Sequence, residues 1–434
     1  MSCLRHLPWP AWLDSGRRAG WDVFVAEPTD TLISRCGLCD HNGKRVEGPP
    51  LRLLETLLAR RPVAPAGVPF SGGALGVFGY DLGESLVGIR NRRPPSALPE
   101  LSLGFYDWAV LMHHERQEGW LLTLDGSAMT PARWAALMAA PVAEPGRWAV
   151  GAVQADLDAE AYGRAFRLLQ RYIRDGDCYQ ANLARCFSAP FQGDSFSAYR
   201  ALRALSPAPH GAYLEHPGFQ LLSISPERFL RLDRGLVETR PIKGTRPRGQ
   251  TPVQDQALAE ALQASEKDRA ENVMIVDLLR NDLGRVCRTG SVRVTELFSL
   301  ESHASVHHLV SAVVGELPPE ASAVTLLEAA FPGGSITGAP KRRAMEVIAE
   351  LEPEPRGLYC GSVGYIGYDG GMDTSIAIRT AVCSRGIISY RAGGGIVADS
   401  READELQETE HKARPFLHLM QQADYVLDTP EGAT

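Results

Sequence analysis

The stretch that decides the reading of this chain runs from Arg240 to Gly249 and has the sequence RPIKGTRPRG. Residues 236–239, which precede it, alternate between apolar and polar side chains and predict a strand. The prolines and glycines that follow predict an irregular backbone that presents side chains rather than packing them. Lys243 shares nine residues with three arginines, and such crowding costs free energy unless anions lie close by.

Lys243 is a candidate nucleophile. A lysine amine attacks carbon only when it is neutral, and its ordinary pKa of about 10.4 leaves it protonated at pH 7. Neighbouring cations and burial both lower that pKa, which is how lysine nucleophiles are made. On these ten residues alone, a solvated basic turn is an equally admissible interpretation.

The composition describes a soluble protein with a packed core. Of 434 residues, 44% are hydrophobic and 22% are charged. The net charge of −7 comes without a basic tail, which argues against nucleic acid as a partner. Prolines interrupt the first ten residues, and no apolar run approaches the roughly 20 residues that cross a bilayer. We therefore expect a cytoplasmic protein that does not enter membranes.

The eight cysteines are dispersed along the chain. Cys36 and Cys39 have the spacing of a zinc or redox pair, but no second pair follows and only His41 stands nearby. We expect reduced thiols that are mostly buried, and the sequence leaves the role of Cys36 and Cys39 open.

Two pairs of acidic residues have helical spacing. Asp268 and Glu271 lie at positions i and i+3 in a predicted helix over residues 256–283, which reads as the longest in the chain. Glu405 and Glu408 have the same spacing near the start of a C-terminal helix that runs toward Ala423. Carboxylate oxygens are the hard ligands that Mg²⁺ prefers, although a solvated acidic face has the same pattern.

Three further segments offer groups that bind anions. Residues 331–341, FPGGSITGAPK, narrowly miss a phosphate loop because Ala339 stands where lysine is required. They predict instead a helix that begins at Pro340 and is capped by Thr337. Arg379 lies among apolar residues, where an unpaired cation is costly. The glycines at 393–395 form a loop whose bare amides can approach a carboxylate.

Together these segments resemble the chorismate-utilising enzyme family, most densely from Gly176 to Ala413. The PIKGT segment is similar to that of the aminodeoxychorismate-forming members, whereas the anthranilate-forming members have alanine where Lys243 stands. The water-adding members have a lysine base where Gln180 stands. Because a neutral amide is a poor base for water, the isochorismate reaction is disfavoured.

The resemblance implies a role for each site residue. Glu271 and Glu408 would bind Mg²⁺ directly, while Asp268 and Glu405 would act through metal-bound water. His308 would donate a proton to the departing ring hydroxyl, with a purely structural histidine as the alternative. The implied substrate contacts are Gln180, Thr337, Tyr365, Arg379, Gly393, Gly394, Gly395 and Lys412.

A further implied site lies near the N-terminus, where relatives of this family have a tryptophan pocket. Ser15 would belong to that pocket. An ordinary turn at residues 14–16 explains the same sequence.

The reaction implied by the resemblance is amination of chorismate to 4-amino-4-deoxychorismate through a covalent intermediate on Lys243. This amino-group transfer belongs to 4-aminobenzoate and folate biosynthesis, and its ammonia would come from a separate glutamine amidotransferase subunit. Anthranilate synthase component I is the alternative enzyme, disfavoured by Lys243. A non-catalytic regulatory subunit that binds chorismate or tryptophan is the alternative from another class.

Helix and strand signals mix without regular βαβ alternation, which predicts an α+β fold. The resemblance implies two large antiparallel β-sheets stacked as a sandwich with helices outside. We expect an N-terminal region over residues 1–150 and a chorismate-binding catalytic region over residues 151–434, packed as one intertwined unit.

Overall fold

The protein was analysed as a computed structural model, which describes residues 1–16, 20–59, 68–89, 93–141, 144–303 and 306–427. In chain order its strands are β1 (Ala11–Asp14), β2 (Trp21–Val25), β3 (Asp30–Arg35), β4 (Leu38–His41), β5 (Lys44–Val46), β6 (Gly73–Phe78), β7 (Leu101–Tyr106), β8 (Trp108–His113), β9 (Glu118–Thr123), β10 (Trp148–Val150), β11 (Gln154–Ala155), β12 (Gln180–Gly193), β13 (His210–His216), β14 (Phe219–Ser225), β15 (Arg228–Asp233), β16 (Leu236–Thr239), β17 (Ile242–Pro247), β18 (Arg293–Ser302), β19 (Val306–Glu316), β20 (Gly338–Ala339), β21 (Ser362–Gly367), β22 (Met372–Ile376), β23 (Thr380–Ser384), β24 (Ile387–Ile396) and β25 (Tyr425–Val426).

The helices surround these strands, and a short 3₁₀ turn spans Gly334–Ile336. In chain order they are α1 (Pro50–Leu58), α2 (Tyr80–Leu86), α3 (Pro131–Ala139), α4 (Ala159–Arg174), α5 (Ser195–Leu205), α6 (Pro252–Ala264), α7 (Glu266–Gly284), α8 (Ala323–Ala330), α9 (Lys341–Leu351) and α10 (Glu402–Gln421).

The strands form two large sheets. The first has 13 strands in the order β25-β10-β12-β24-β23-β14-β13-β1-β2-β8-β9, with β11 and β20 also paired to β12. The second has 12 strands in the order β17-β19-β16-β15-β22-β21-β6-β7-β3-β4-β5, with β18 paired to β19. Within the described chain, every pairing is antiparallel except that of β10 with β25. The predicted α+β fold of two antiparallel sheets is confirmed.

The two sheets pack face to face through a shared apolar layer. Leu75 and Val77 of β6 meet Leu214 of β13 and Leu221 of β14 in one buried cluster. All six residues of β6 are buried, because this strand lies in the middle of its sheet and is covered on both faces. Strands from before and after residue 150 adjoin in both sheets, as β1 does with β13 and β6 with β21.

The predicted helix over residues 256–283 is wrong, because the chain forms two helices there. Ser265 has an extended backbone (φ −67°, ψ 108°) and its hydroxyl accepts from the Asp268 N–H, so it ends α6 and caps α7. The longest helix of the described chain is α10, with 20 residues against 19 in α7. A serine inside an apolar pattern therefore marked a helix start that periodicity alone did not reveal.

Three local predictions also need correction. Thr337 does not cap α9; Pro340 takes the N-cap position, and the Thr337 hydroxyl donates to the Gly333 carbonyl instead. The glycines at 393–395 lie in strand β24, paired with β12, and not in a loop. The segment that carries Lys243 is also a strand, β17, although its register with β19 is irregular.

Candidate active site

Lys243 leaves the ladder of its strand at a bulge. In the pairing of β17 with β19, Ile242 lies opposite Val310 and Thr245 lies opposite His308, and the register shifts between these two pairs. Gly244, within the shift, has a φ of +80°, which glycine adopts without strain. Bulges of this kind re-aim side chains, so the irregular register presents the Lys243 amine away from the regular ladder.

The half-buried Lys243 amine lies among charges of both signs. Burial lowers the pKa of Lys243, Lys412 lowers it further, and Glu271, Glu227 and Glu408 oppose that shift. The net pKa lies below the ordinary lysine value. A larger neutral fraction of the amine follows, as a nucleophile requires.

Glu227 is a buried carboxyl group beside this lysine that the sequence analysis did not single out. It is 5% exposed, accepts from the Ser335 hydroxyl at 2.8 Å, and accepts from the backbone N–H of Ile242. Burial raises the pKa of Glu227 to about 7, against the opposing effects of Ser335 and Lys243. The carboxyl group can therefore both give and take a proton near neutral pH. The available signal was a glutamate between two apolar strands, β14 and β15.

Helices α7 and α10 place three of the four predicted metal carboxylates, those of Glu271, Glu405 and Glu408, near one another. Burial raises the pKa of Glu271, and Glu408 contributes to that rise. Glu405, buried and accepting from the Ser400 hydroxyl at 2.6 Å, also has a raised pKa because of burial. At Gly394 a Cβ atom would lie 2.8 Å from Glu405 Oε2 and 3.4 Å from Glu408 Oε1, so both carboxylates cover this glycine.

Lysines neutralise these carboxylates. Lys412 forms an ion pair with Glu408 at 2.5 Å and donates to the Gly393 carbonyl at 2.8 Å. Burial alone would raise the pKa of Glu408, but Lys412 and Lys243 outweigh it and the pKa lies below its ordinary value. Lys267 lies 3.9 Å from Glu271.

The donor set fits Mg²⁺ in its chemistry. The side chains of Glu271, Glu405 and Glu408 offer hard oxygens, and the bare Gly394 leaves room between two of them. Across the described residues, no three histidine, cysteine, aspartate or glutamate side chains already stand close enough to hold a metal ion. Asp268 is directed elsewhere, since it pairs with Arg246 at 2.9 Å.

His308 lies directly beside the lysine strand. Its Nδ1 is 3.0 Å from the Thr245 hydroxyl, and its ring centroid is 5.3 Å from that of His303. Burial lowers the pKa of His308 to about 4, helped by His303 and Arg379. The imidazole is therefore mostly neutral at pH 7, so it can form hydrogen bonds but rarely carries the extra proton that a general acid gives up.

Gln180 and Thr337 line the same region from β12 and the residues just before β20. Gln180 is fully buried, and neither atom of its side-chain amide has a hydrogen-bond partner among the described residues. A Cβ on Gly395 would lie 2.6 Å from Gln180 Nε2, so glycine is needed there. The Thr337 carbonyl accepts from the Asn182 N–H at 2.8 Å, which ties this turn to β12. A buried side-chain amide without a hydrogen-bond partner is typical of a site that binds a polar ligand.

Arg379 stands between His308 and α10. It follows β22 with a φ of 52°, and its Nη1 donates to the Lys412 carbonyl at 3.1 Å. The Tyr390 hydroxyl donates to the same carbonyl at 3.0 Å. The guanidinium of Arg379 is thereby fixed against the backbone of α10 at Lys412.

Tyr365 does not join this group. Its buried ring packs on Phe70 with centroids 5.1 Å apart, and the charges that act on its hydroxyl are those of Asp373, Asp369, Arg231 and Arg228. The predicted substrate contact from Tyr365 is therefore not supported by its position between the sheets. Six residues earlier, Tyr359 packs in the cluster that contains Ala184 of β12 and Ile336.

Ser15 lies at a cavity of about 920 Å³ between the sheets. Its N–H and hydroxyl both donate to Asp22 Oδ1, at 2.8 and 2.7 Å. Trp21 and His210 line the cavity near Ser15, and Tyr365 lines it from the other sheet. Ile242 and Val310 also line the cavity, so it extends from Ser15 to the strand that carries Lys243.

All eight cysteines, each in a described part of the chain, are free thiols, and six of them are buried. The expectation of buried reduced thiols is confirmed. Cys36 is exposed and Cys39 is buried, where burial raises the pKa of the Cys39 thiol. Among the residues that the structure describes, no helix has the length and apolar character needed to cross a membrane.

The chain belongs to the chorismate binding enzyme family, which it matches over residues 11–418. It is 46% identical to aminodeoxychorismate synthase component 1 of Klebsiella aerogenes over 97% of this chain and 95% of that protein. It is 39% identical to anthranilate synthase component 1 of Thermus thermophilus over 95% of this chain and 91% of that protein. The crystal structure of anthranilate synthase component I from Streptococcus pneumoniae has a TM-score of 0.81 and 31% identity, covering 91% of each chain.

Proposed function

We propose that this protein is the chorismate-aminating component of an aminodeoxychorismate synthase. The observation that carries the proposal is the amine of Lys243, half-buried at a bulge, with the protonatable carboxyl group of Glu227 beside it. The higher identity to the Klebsiella relative than to the anthranilate-forming one supports the same assignment.

The first half of the proposed reaction forms a bond between Lys243 and the substrate. The neutral amine attacks ring C2 of chorismate, both ring double bonds shift along C1, C6 and C5, and the bond from C4 to its hydroxyl breaks. Glu227 gives a proton to that hydroxyl, so it leaves as water. This assignment of the proton to Glu227 rests on its pKa of about 7, against about 4 for His308.

The second half reverses the displacement. Ammonia attacks C4, both double bonds shift back, and the bond from C2 to the protonated Lys243 nitrogen breaks, which releases Lys243 as the neutral amine. The incoming nitrogen loses a proton to Glu227, which restores the starting state. Atoms balance as chorismate plus ammonia giving 4-amino-4-deoxychorismate plus water.

The remaining residues bind and orient. Arg379, held on the backbone carbonyl of Lys412, and Lys412 itself each offer a cation for a substrate carboxylate. Gln180 and Thr337 contact the ring from the β12 side, and His308 donates or accepts a hydrogen bond as a neutral imidazole. Mg²⁺ held by Glu271 and Glu408, with Glu405 behind them, would supply the positive charge that binds the second carboxylate.

The partner we propose is a glutamine amidotransferase subunit that supplies ammonia. Its existence is suggested by the designation of the Klebsiella relative as component 1. The reaction would take place in the cytoplasm as a step of 4-aminobenzoate and folate synthesis. We also propose tryptophan as a ligand of the cavity at Ser15, which isothermal titration calorimetry would test.

A product assay tests the function. Purified protein with chorismate, Mg²⁺ and ammonium should form 4-amino-4-deoxychorismate, which yields 4-aminobenzoate only after a lyase is added. Direct formation of anthranilate and pyruvate would instead identify an anthranilate synthase. Background turnover with retained chorismate binding would identify a regulatory subunit.

A further inference from the structure

Asp268 lies one helical turn before Glu271 on α7, but its side chain contacts different residues from those that Glu271 contacts. Its Oδ2 accepts from Arg246 Nη2 at 2.9 Å, and its side chain is 15% exposed. Its own N–H donates to the Ser265 hydroxyl at the start of α7. Asp268 therefore joins the first turn of α7 to strand β17.

The three residues after Lys243 are each held by a separate contact. A Cβ on Gly244 would lie 3.0 Å from Asp268 Cγ and 2.9 Å from Leu262 Cδ1, so the bare backbone packs on the junction of α6 and α7. The Thr245 hydroxyl lies 3.0 Å from His308 Nδ1. Arg246 is held by Asp268.

These contacts matter because the ladder is interrupted at this point. The register of β17 on β19 shifts between Ile242 and Thr245, so regular backbone pairing does not fix Lys243 between them. Pairing resumes at Thr245 and Arg246, so the contacts of Gly244 and Arg246 with Asp268 add to that ladder and fix the interrupted part of the strand against α7.

We propose that Asp268 is a positioning residue for Lys243, acting through its ion pair with Arg246, rather than a member of the metal site. Arg246 lies three residues after Lys243 on β17, and Asp268 lies three residues before Glu271 on α7. The ion pair thus sets the distance between the nucleophile and the helix that carries Glu271. The inference rests on the function proposed above.

If Asp268 belonged to the metal site, the variants would behave in the opposite way. If Asp268 acts on Mg²⁺ through water, its loss weakens Mg²⁺ binding and Arg246 is irrelevant. If it positions Lys243, the loss of either partner slows attack on the ring equally, because each variant breaks the same pair. A misplacement of about 1 Å typically costs on the order of 100-fold in rate.

The experiment uses the full chain with Arg246→Gln, Asp268→Asn and the double variant. Mass spectrometry of quenched samples, with chorismate and Mg²⁺ but no ammonia, measures how fast Lys243 is modified. Calorimetry measures Mg²⁺ binding. We expect each single variant to form the adduct roughly 10- to 100-fold more slowly, the double variant to be no slower, and Mg²⁺ affinity to stay at the wild-type value.

Two further variants control for general damage. Arg280→Gln removes the exposed ion pair with Asp277 on the same helix and should react like the wild type. Arg246→Lys keeps the charge and should recover most of the rate, which loss of folding would not allow.

The outcomes separate cleanly. Weaker Mg²⁺ binding by Asp268→Asn with a wild-type rate for Arg246→Gln overturns the inference and returns Asp268 to the metal site. Wild-type rates in both single variants also overturn it. If the wild-type protein itself forms no adduct, the proposed function fails, and this inference fails with it.

Discussion

At the scale of single residues, the proposed reaction depends on Glu227 and Lys243, and burial shifts their pKa values in opposite directions. It raises the pKa of the carboxyl group to about 7 and lowers the pKa of the amine. Both shifts favour the uncharged form, because burial disfavours charge of either sign. The two shifts together increase the share of molecules that hold both a protonated carboxyl group and a neutral amine.

The pH dependence of turnover should reveal Glu227. The donor must be protonated, so its contribution is present below pH 7 and is lost as the pH rises through about 7. Glu227→Gln should lower kcat by roughly 10²- to 10⁴-fold and remove this alkaline decline. The measurement is kcat against pH with total ammonium adjusted to keep free ammonia constant. An unchanged profile in the variant would show that another group gives the proton.

Tyr365 tests the boundary of the site. Its ring lies against Phe70 and its hydroxyl near Asp373, away from Arg379 and Lys412. Tyr365→Phe should therefore leave the KM for chorismate at the wild-type value in steady-state kinetics, whereas Arg379→Met should raise it. A matching rise in the tyrosine variant would restore the contact that the sequence suggested.

Strand β24 and helix α10 pack together at Gly394, where two of the carboxylates proposed to bind Mg²⁺ lie. Glu405 and Glu408 cover Gly394, and Lys412 one turn further along α10 donates to Gly393. The absence of a side chain at 394 is what lets the helix approach the strand so closely. The Glu405–Glu408 pair and the glycine tract thus pack directly against each other.

Gly394→Ala should disturb that arrangement locally. The added methyl group would lie 2.8 Å from Glu405 Oε2 and would force the carboxylate to move. We expect weaker Mg²⁺ binding by calorimetry, with little change in the thermal unfolding midpoint. Gly284→Ala is the matched control, since a Cβ there meets nothing within 4 Å. Equal Mg²⁺ affinity in both variants would contradict this account.

The sequence predicted elements better than their junctions. Lys243, the carboxylate pairs and Arg379 could be singled out because charge and spacing are visible along the chain. Glu227 could not, because its significance comes from burial against Ile242 and Ser335, which lie 15 and 108 residues away in the sequence. The break between α6 and α7 could not be predicted because no proline or glycine marks it in residues 256–283, and only the extended backbone of Ser265 reveals it. The predicted substrate contact of Tyr365 came from the resemblance alone, because alternation along a strand gives two faces without saying which one meets the substrate.

At the scale of the whole molecule, the fully buried ion pair between Arg356 and Glu352 connects structure attached to both sheets. Arg356 donates to both carboxylate oxygens of Glu352 and to the Asn182 carbonyl of β12, and its guanidinium lies 4.8 Å from the ring of Tyr80 in α2. Neither charged side chain is exposed to solvent. Because α2 follows β6 and Asn182 lies in β12, this one side chain contacts structure attached to each sheet.

Arg356→Met should destabilise the fold severely. It leaves the buried carboxylate of Glu352 without its partner, at a cost of about 3–5 kcal/mol in the free energy of unfolding. Chemical denaturation followed by fluorescence measures the change. Arg342→Met, which removes an exposed pair with Glu346, should cost at most about 1 kcal/mol. Similar losses in the free energy of unfolding in the two variants would contradict a special stabilising role for Arg356.

The central claim is that Lys243 bonds covalently to the substrate, and mass spectrometry of the intact protein tests it most directly. After incubation with chorismate and Mg²⁺ but without ammonia, the wild-type chain should gain the mass of chorismate less water, on a peptide that contains Lys243. Lys243→Ala should gain nothing. An unmodified wild-type chain under conditions in which added ammonium supports turnover would contradict the claim.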